Sequence, residues 1–265
     1  MRTEHQNNAT WWNETASWYR GQNELELIRS GGSTLFPAER EILGDLTPWC
    51  RRAIHLQCSH GNDALSLLHD GAGEVVGVDI SEKLLSVASE KATALHANAK
   101  WVLSDILETP HSLDATADLV YTGKGAICWM MDIEEWARVV ARLLKPGGKF
   151  FIYEGHPLDW VWSENADTYI LDDKYGNYFS TEFRTSLFAA KTQAKPQYRQ
   201  WTLAQTVNSL IDAGLTIERL MEYPQHFWGI HPRMPEEQSN RLPHTFAILA
   251  RKPGQIELNS KSSGT

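Results

Sequence analysis

Residues 52–94 organise the chain, and they read RAIHLQCSHGNDALSLLHDGAGEVVGVDISEKLLSVASEKATA. The apolar run at residues 53–58 predicts a buried strand, and a polar, turn-forming cluster follows it. Residues 64–69 then predict a helix whose leucines can face a sheet. A second apolar strand, residues 75–78, stops at Asp79. The stretch therefore predicts a βαβ unit with a carboxylate at the tip of its second strand.

A βαβ unit of this kind favours a nucleotide site. Backbone N–H groups and the helix dipole gather where a parallel strand leads into a helix, at the carboxyl edge of the sheet. An acidic residue about 20 positions further on is placed to accept both ribose hydroxyls. Asp79 lies 18 residues after Gly61, which fits this spacing. The alternative is that Asp79 only caps the helix that begins near Ser81.

Length, composition and charge restrict the function classes. With 265 residues and 42% hydrophobic content, the chain suits one domain with a large insertion, or at most two small domains. The net charge of −8, without a lysine or arginine run, argues against nucleic-acid binding through a basic face. Three scattered cysteines without a CxxC or His-Cys pattern predict reduced thiols and a cytoplasmic protein. The polar N-terminal residues and the lack of a long apolar run predict neither a signal peptide nor a membrane span.

The rest of the chain continues the alternation of strands and helices. Further strands are predicted at residues 100–104, 118–121, 149–153, 216–223 and 245–251, and further helices at residues 36–47, 133–144 and 202–213. This order predicts an α/β fold, with a doubly wound, mostly parallel sheet and helices on both faces.

Aromatic residues are concentrated near the N-terminus, in what we interpret as an N-terminal helical lid over residues 1–48. Its first ten residues are expected to be disordered, and a helix is expected to follow them. Trp12, Ala16 and Tyr19 fall on one face of that helix. The aromatic face either closes over a ligand or packs as ordinary core.

A second aromatic-rich segment covers residues 154–200, after the fifth strand. A span this long predicts an insertion rather than a linker. Its rings form either an apolar pocket for a small organic substrate, as a substrate lid, or the core of a small subdomain. Residues 253–265 are expected to be a tail.

Reached in this order, the elements resemble the class I S-adenosylmethionine-dependent methyltransferases over about residues 50–150 and 201–252. That family has an acidic residue ending its second strand, another after its third, and an LKPGG turn before its fifth. Asp79, Asp105 and residues 144–148 match these features. The first loop departs from the family's glycine-rich pattern, since HLQCSHG at residues 55–61 has one glycine. A subgroup with an HLQC run and an aspartate two residues beyond the glycine, here Asp63, is similar.

The resemblance implies a seven-stranded sheet with an antiparallel last strand, and a Rossmann-like core formed by residues 49–153 and 201–252. It implies S-adenosyl-L-methionine as the cofactor and S-adenosyl-L-homocysteine as the product. Asp79 would take the ribose hydroxyls, and Asp105 the adenine amino group. Other residues implied to contact the cofactor are Trp12, Tyr19, Gln57, Ser59, Gly61, Asp63, Ile80, Ile106, Thr122 and Gly123.

Methyl transfer from a sulfonium is an in-line displacement, so the protein mainly positions and desolvates the reactants, and no metal is required. An acceptor that must lose a proton also needs a base within reach. His156, just after the fifth strand, is the candidate base, because imidazole titrates near neutral pH. The alternative is a loop histidine bonded to backbone. Glu154 is a second candidate as base or substrate contact.

Other polar residues near the expected site are assigned more loosely. Tyr121 and Lys124 lie beside the expected crevice and are candidates for substrate contact. His226, His231 and His244, in or beside a proline-containing loop, are assigned no role and are expected at the surface or in structural positions.

The acidic chain and its aromatic insertion predict a small-molecule methyl acceptor rather than a nucleic acid or a membrane. The identity of the acceptor, the atom methylated and the oligomeric state stay open. One alternative is a protein that binds S-adenosylmethionine without catalysis. Another is an NAD(P)-dependent oxidoreductase, which should have a turn with three glycines that residues 58–63 lack.

Overall fold

A computed structural model describes residues 1–19, 22–185, 192, 194–227 and 231–254. Nine strands are assigned in this part of the chain: β1 Ala53–Leu56, β2 Val75–Asp79, β3 Ala99–Leu103, β4 Ala117–Gly123, β5 Leu144–Gly155, β6 Arg184–Thr185, β7 Gln197–Tyr198, β8 Thr216–Tyr223 and β9 Thr245–Arg251. Seven of them form one sheet in the order β3-β2-β1-β4-β5-β9-β8. Strand β9 runs antiparallel to both of its neighbours, and the first five strands are parallel to one another. The predicted sheet with a reversed last strand is confirmed.

Helices cover both faces of this sheet. The α-helices of the described chain are α1 Thr3–Thr15, α2 Gln22–Arg29, α3 Pro37–Leu43, α4 Asn62–His69, α5 Glu82–Ala94, α6 Ile133–Leu143, α7 Leu203–Asp212 and α8 Glu236–Ser239. One apolar core lies between the sheet and helices α6 and α7, and a second lies between the sheet and helices α3 and α4. The predicted N-cap residues of α5 and α7 are confirmed. The side chains of Ser81 and Thr202 accept N–H groups in the first turns of these two helices.

The LKPGG segment, residues 144–148, follows helix α6 and forms the first part of strand β5. The helix ends at Leu143, one residue before its predicted end, with Trp136 and Val140 fully buried on its inner face. The strand was predicted to start at residue 149, but it begins at Leu144, which already pairs with Ala117 of β4. The turn residues therefore form an irregularity inside the strand, with a shift in its register.

The prediction that residues 1–10 are disordered is wrong, because helix α1 begins at Thr3. Three polar residues on this helix are buried, and two of them contact distant parts of the chain. His5 Nδ1 lies 2.7 Å from Asp105 Oδ2, and Asn8 exchanges two 2.8 Å hydrogen bonds with the backbone of Gln197. Polar tertiary contacts order this segment, and apolar periodicity cannot reveal such contacts.

The described part of the insertion packs around one buried arginine. Arg184, which is 5% exposed, donates to the carbonyls of Trp160 and Tyr175 and to Gln200 Oε1. The ring of Trp160 lies 5.7 Å from that of Tyr198 on β7. These two rings pack against each other within the insertion. Phe188 and residues 255–265 of the expected tail lie outside the described residues.

Candidate functional site

The first parallel strands end at one edge of the sheet, and Asp79 lies there at the end of β2. Its side chain is 6% exposed. Ser59 N donates to Asp79 Oδ2 at 2.7 Å, and Ser81 N donates to Oδ1 at 2.9 Å. Burial raises the pKa of Asp79 to about 6, and the backbone donors oppose that rise. Asp79 is therefore a buried carboxylate held by the turn after β1 and by the start of α5.

The turn after β1 has an unusual backbone for its residue types. Gln57 and Ser59 adopt φ values of 57° and 50°, in the left-handed region that glycine enters most readily. Gln57 Nε2 donates to the Ala126 carbonyl at 2.5 Å, which ties the turn to the loop after β4. A residue other than glycine is strained in this backbone conformation, and the conformation is kept only where the surrounding contacts fix it. The turn thus keeps the shape of a glycine-rich loop while it carries polar side chains.

Glycine is required at two predicted positions for reasons of packing. A Cβ on Gly61 would lie 2.7 Å from Ala88 Cβ and from the Trp101 ring, and its φ is 82°. A Cβ on Gly123 would lie 2.1 Å from the Tyr153 carbonyl oxygen, with φ at 150°. Thr122, fully buried beside it, donates to the Leu56 carbonyl at 3.0 Å. These residues hold the ends of β1, β4 and β5 close together.

His55 lies beneath the turn and presents a polar atom without a partner. Its side chain is buried edge-on against Tyr121, with ring centroids 4.8 Å apart. Its Nδ1 makes no hydrogen bond to any described residue. Burial lowers the pKa of His55 to about 4, so the ring is neutral at pH 7.

Asp105, the second predicted acid, is reached by the N-terminal helix. It is 2% exposed, and its Oδ1 accepts the Leu107 N–H at 3.0 Å while Oδ2 faces His5. Ile106 packs into the core at 2% exposure, so an adenine contact would require an outward movement of this residue. Ile80 is half-buried at the same edge.

Helix α1 crosses this edge and covers it. Asn13 Oδ1 accepts a hydrogen bond from Ser81 Oγ at 2.8 Å. The ring of Trp11, which is 2% exposed, stacks on Trp129 at 5.6 Å. Trp12 and Tyr19, the predicted lid residues, are half-buried and lie 5.8 Å apart, so Trp11 is the most deeply inserted ring. The aromatic segment thus acts as a cover over the strand ends.

A charged cluster lies beside the turn, and only part of it could be predicted from the sequence. Lys124 Nζ lies 2.9 Å from Asp63 Oδ1 and 3.1 Å from Glu39 Oε2. Burial raises the pKa of Glu39 to about 7, although Lys124 opposes this rise. Asp63 also accepts the Thr34 hydroxyl at 2.6 Å. The Asp63 carboxylate is therefore paired with a lysine and is not free. Glu39, at the start of α3, was not predicted as a site residue, because no sequence pattern in its helix indicates that it is buried.

The end of β5 holds the two candidate bases. Glu154 is buried and accepts the N–H groups of residues 125, 126, 127 and 155 at 2.5, 2.8, 3.0 and 2.7 Å. Three of these donors, from residues 125–127, belong to the loop after β4, so Glu154 fixes the position of that loop. His156, which is 2% exposed, uses both ring nitrogens: Nδ1 accepts the Leu158 N–H at 3.1 Å, and Nε2 lies 2.8 Å from Glu222 Oε1. Burial lowers the pKa of His156.

A small cavity lies at the candidate site, and a much larger groove lies away from it. The cavity, of about 20 Å³, lies by Glu154, Trp160, Gln200 and Trp201, and it has room for about one water molecule. A wide groove of about 690 Å³ opens at the opposite edge, beside Arg52, Glu74 and Lys145, where the strands begin. We place the site at the carboxyl edge despite the size of this groove, because open α/β sheets bind ligands beyond the carboxyl ends of their strands.

His231 and His244 are buried, and His226 is half-buried. All three face Asp159, which lies in the short 3₁₀ turn Pro157–Val161 after β5. The histidines lie between β8 and β9, but Asp159 belongs to a distant part of the chain, so no local spacing pattern could have revealed their convergence on it.

Comparisons with known proteins agree with this geometry. Residues 53–148 match a family model described as a methyltransferase domain. This region of the chain therefore has the sequence features of a methyltransferase domain. A demethylmenaquinone methyltransferase from Staphylococcus aureus (strain MRSA252) is 35% identical to this domain over 102 residues, which span 37% of this chain and 40% of that relative.

Solved structures extend the likeness beyond the methyltransferase domain. An S-adenosylmethionine-dependent methyltransferase from Mesorhizobium loti is 25% identical, with a TM-score of 0.62 over 81% of this chain and 96% of that one. A geranyl diphosphate C-methyltransferase from Streptomyces coelicolor A3(2), solved with Mg²⁺, geranyl-S-thiolodiphosphate and S-adenosyl-L-homocysteine, is 13% identical. Its TM-score is 0.62 over 95% of this chain and 98% of that one, which shows a shared fold. No helix in the described residues has the length and apolar character needed to cross a membrane.

Proposed function

We propose that this protein transfers a methyl group from S-adenosyl-L-methionine to a small organic molecule. The observation that carries the proposal is Asp79, a buried carboxylate at the end of β2, held by the turn after β1. That is the position from which an acid accepts the ribose hydroxyls of a nucleoside. We also propose that the protein acts in the cytoplasm, the compartment in which thiols stay reduced.

The donor set at the carboxyl edge fits such a cofactor. Asp79 would hold the ribose, and Asp105, whose carboxylate has a spare lone pair, would accept the adenine amino group. His55 Nδ1, buried without a partner, and Gln57 suit the polar methionine end. Bound here, the cofactor supplies an activated methyl group, and the protein's own residues orient the reactants and exclude water.

The acceptor would lie beside the end of β5 and the insertion. On this side the rings of Trp129 and Trp160 each lie 5.7 Å from the ring of Tyr198. The cavity of about 20 Å³ there is too small for an organic substrate, so we infer that the insertion moves when the acceptor enters. An apolar, enclosed lining favours a small molecule.

Isothermal titration calorimetry with S-adenosyl-L-homocysteine and with NADH tests the cofactor class. We expect binding of the former and none of the latter, and the reverse result would support the oxidoreductase alternative. Turnover of methyl-labelled S-adenosylmethionine on a panel of metabolites then tests catalysis. Tight binding without turnover on any compound would favour the non-catalytic alternative.

Cofactor affinity should depend on pH through Asp79. Its pKa is raised to about 6, so the free protein holds a proton on this carboxyl below that pH. Ribose hydroxyls need the ionised form as acceptor, so the affinity for S-adenosyl-L-homocysteine should fall by about tenfold per pH unit below pH 6. Above pH 7 it should level off. Calorimetry between pH 5 and 8 measures this, and the Asp79→Asn variant should lack the slope.

His156 as general base stays a proposal, and it requires release of the Leu158 N–H from Nδ1. Glutamine at this position can still accept that N–H and donate to Glu222, but it cannot take up a proton. If His156 is the base, His156→Gln should lower kcat by about 10²-fold or more with unchanged affinity for S-adenosyl-L-homocysteine. Retention of at least half the turnover would limit His156 to holding the turn after β5.

A further inference from the structure

A second polar cluster lies behind His156, outside the residues assigned to cofactor and acceptor. We define the Asp159 cluster as Asp159, His226, His231 and His244. His226 Nδ1 lies 3.4 Å from Asp159 Oδ2, and His231 Nε2 lies 3.1 Å from Oδ1. His244 Nδ1 contacts Oδ1 directly. Three imidazoles therefore point at one carboxylate, and Asp159, His231 and His244 are all more than nine-tenths buried.

The outer nitrogens of two of these histidines are held by one residue of α8. His244 Nε2 lies 2.9 Å from the carbonyl oxygen of Ser239, and His226 Nε2 lies 2.8 Å from its hydroxyl. A carbonyl only accepts, so a bond to it places a proton on His244 Nε2. Nδ1 then faces the carboxylate as a lone pair, unless the ring carries a positive charge. An arrangement in which the outer nitrogen is fixed by a backbone carbonyl is the one that metal-binding histidines show.

We propose that Asp159, His226 and His244 bind a divalent transition-metal ion of the Zn²⁺ class. One donor atom from each of these three residues lies within 4.8 Å of the others. Donor atoms at about 2.0–2.1 Å from a tetrahedral ion lie roughly 3.3 Å from one another, close to the 3.4 Å between His226 Nδ1 and Asp159 Oδ2. Imidazole nitrogens with one carboxylate are the ligand set that suits zinc and its neighbours rather than magnesium or calcium.

His231 completes the cluster beside these three ligands. Its Nε2 lies on the carboxylate oxygen that His244 also contacts, so it either orients that carboxylate or enters as a fourth ligand. Asp159 thus offers a buried carboxylate that three imidazoles face.

The ion would join two segments beside the proposed acceptor site. One is the loop between β8 and β9, which holds His226 and His244, and the other is the turn after β5, which holds Asp159. Backbone bonds of 2.8 Å join His156 N to the His244 carbonyl and Asp159 N to the His156 carbonyl. A metal in the Asp159 cluster would thus fix the position of His156.

Metal analysis of the full chain tests the proposal without any assay of activity. Protein stripped with EDTA and dialysed against ZnCl₂ should retain one Zn²⁺ per chain by mass spectrometry, and bound Zn²⁺ should raise its melting temperature. Co²⁺ in place of Zn²⁺ should give the visible absorption of a four-coordinate ion. Wild-type protein that retains less than about one-fifth of an equivalent and shows no such absorption would overturn the site.

Variants then locate the ion. His226→Gln, at a half-buried position, and Asp159→Asn should each weaken Zn²⁺ binding by at least tenfold. His69→Gln, at an exposed position in the last turn of α4, is the matched control and should leave it unchanged. Circular dichroism checks folding. Stoichiometric Zn²⁺ with wild-type affinity in folded His226→Gln would place the ion elsewhere and contradict the proposal.

Discussion

Lys124→Met is expected to lower the free energy of unfolding by about 3–5 kcal/mol, the cost of breaking a buried ion pair from one side. The ammonium of Lys124, 16% exposed, lies between the carboxylates of Glu39 and Asp63, and it also donates to the Thr34 carbonyl at 3.0 Å. Methionine keeps the length of the side chain and removes the charge. Asp63 would then face Glu39 without a counter-charge, and Glu39 would be forced to take a proton.

Chemical denaturation monitored by circular dichroism measures this loss. Lys145→Met is the matched control, because Lys145 pairs with Asp118 at 2.6 Å at a position that is 38% exposed. An exposed pair contributes about 0–1 kcal/mol, so this variant should be nearly as stable as the wild type. The double variant Glu39→Gln/Lys124→Met should recover part of the loss. Equal stability of the two lysine variants would show that the cluster is solvated.

Asp79→Asn is expected to weaken binding of S-adenosyl-L-homocysteine by about 1–3 kcal/mol, or roughly 5- to 150-fold. Asparagine has the same shape but one acceptor oxygen in place of two charged ones. It can keep one of the two backbone N–H bonds from Ser59 and Ser81. The ribose hydroxyls would lose a charged partner, and this accounts for the expected change in affinity.

Calorimetry at pH 7.5 measures this change, with Asp118→Asn as the matched control. Asp118 also accepts two backbone N–H groups, from Arg51 and Arg52 at 3.0 and 2.9 Å, but it lies at the opposite edge of the sheet. Both variants should therefore lose similar stability, and only Asp79→Asn should lose affinity. Unchanged affinity in Asp79→Asn would move the cofactor away from the end of β2.

The N-terminal helix α1 covers part of the proposed cofactor site. His5 occupies one oxygen of Asp105, and Trp11 and Asn13 close the same edge. A nucleoside that reaches Asp105 has to share or displace the His5 contact. We therefore expect α1 to adjust when the cofactor binds, and the region is well suited to act as the predicted lid.

Much of the fold and part of the site could be predicted from local sequence. Apolar runs, turn residues and helix caps are read over short distances, so the strands β1, β2 and β3 and the cap at Ser81 were recovered. The carboxylate of Asp79 was placed by its distance along the chain from Gly61. The resemblance to a methyltransferase family rested on the same local motifs.

Contacts between distant segments were missed. Residues 1–10 contain no apolar stripe, yet α1 is ordered by His5 on Asp105 and Asn8 on Gln197. His226 and His244 were expected to have surface or structural positions, and they meet Asp159 across more than 60 residues of chain.

The sequence by itself determined the alternation of strands and helices and the acid at the end of β2, because each depends on neighbouring residues, whereas the reversed last strand was implied by the resemblance to a methyltransferase family. Only the tertiary structure decided which polar side chains are free to meet a ligand. His156 Nδ1 accepts a backbone N–H, His156 Nε2 contacts the side chain of Glu222, and Glu154 accepts four backbone N–H groups, all of which folding brings there. Burial and hydrogen-bond partners are set by packing between distant segments, and residue type alone does not specify them.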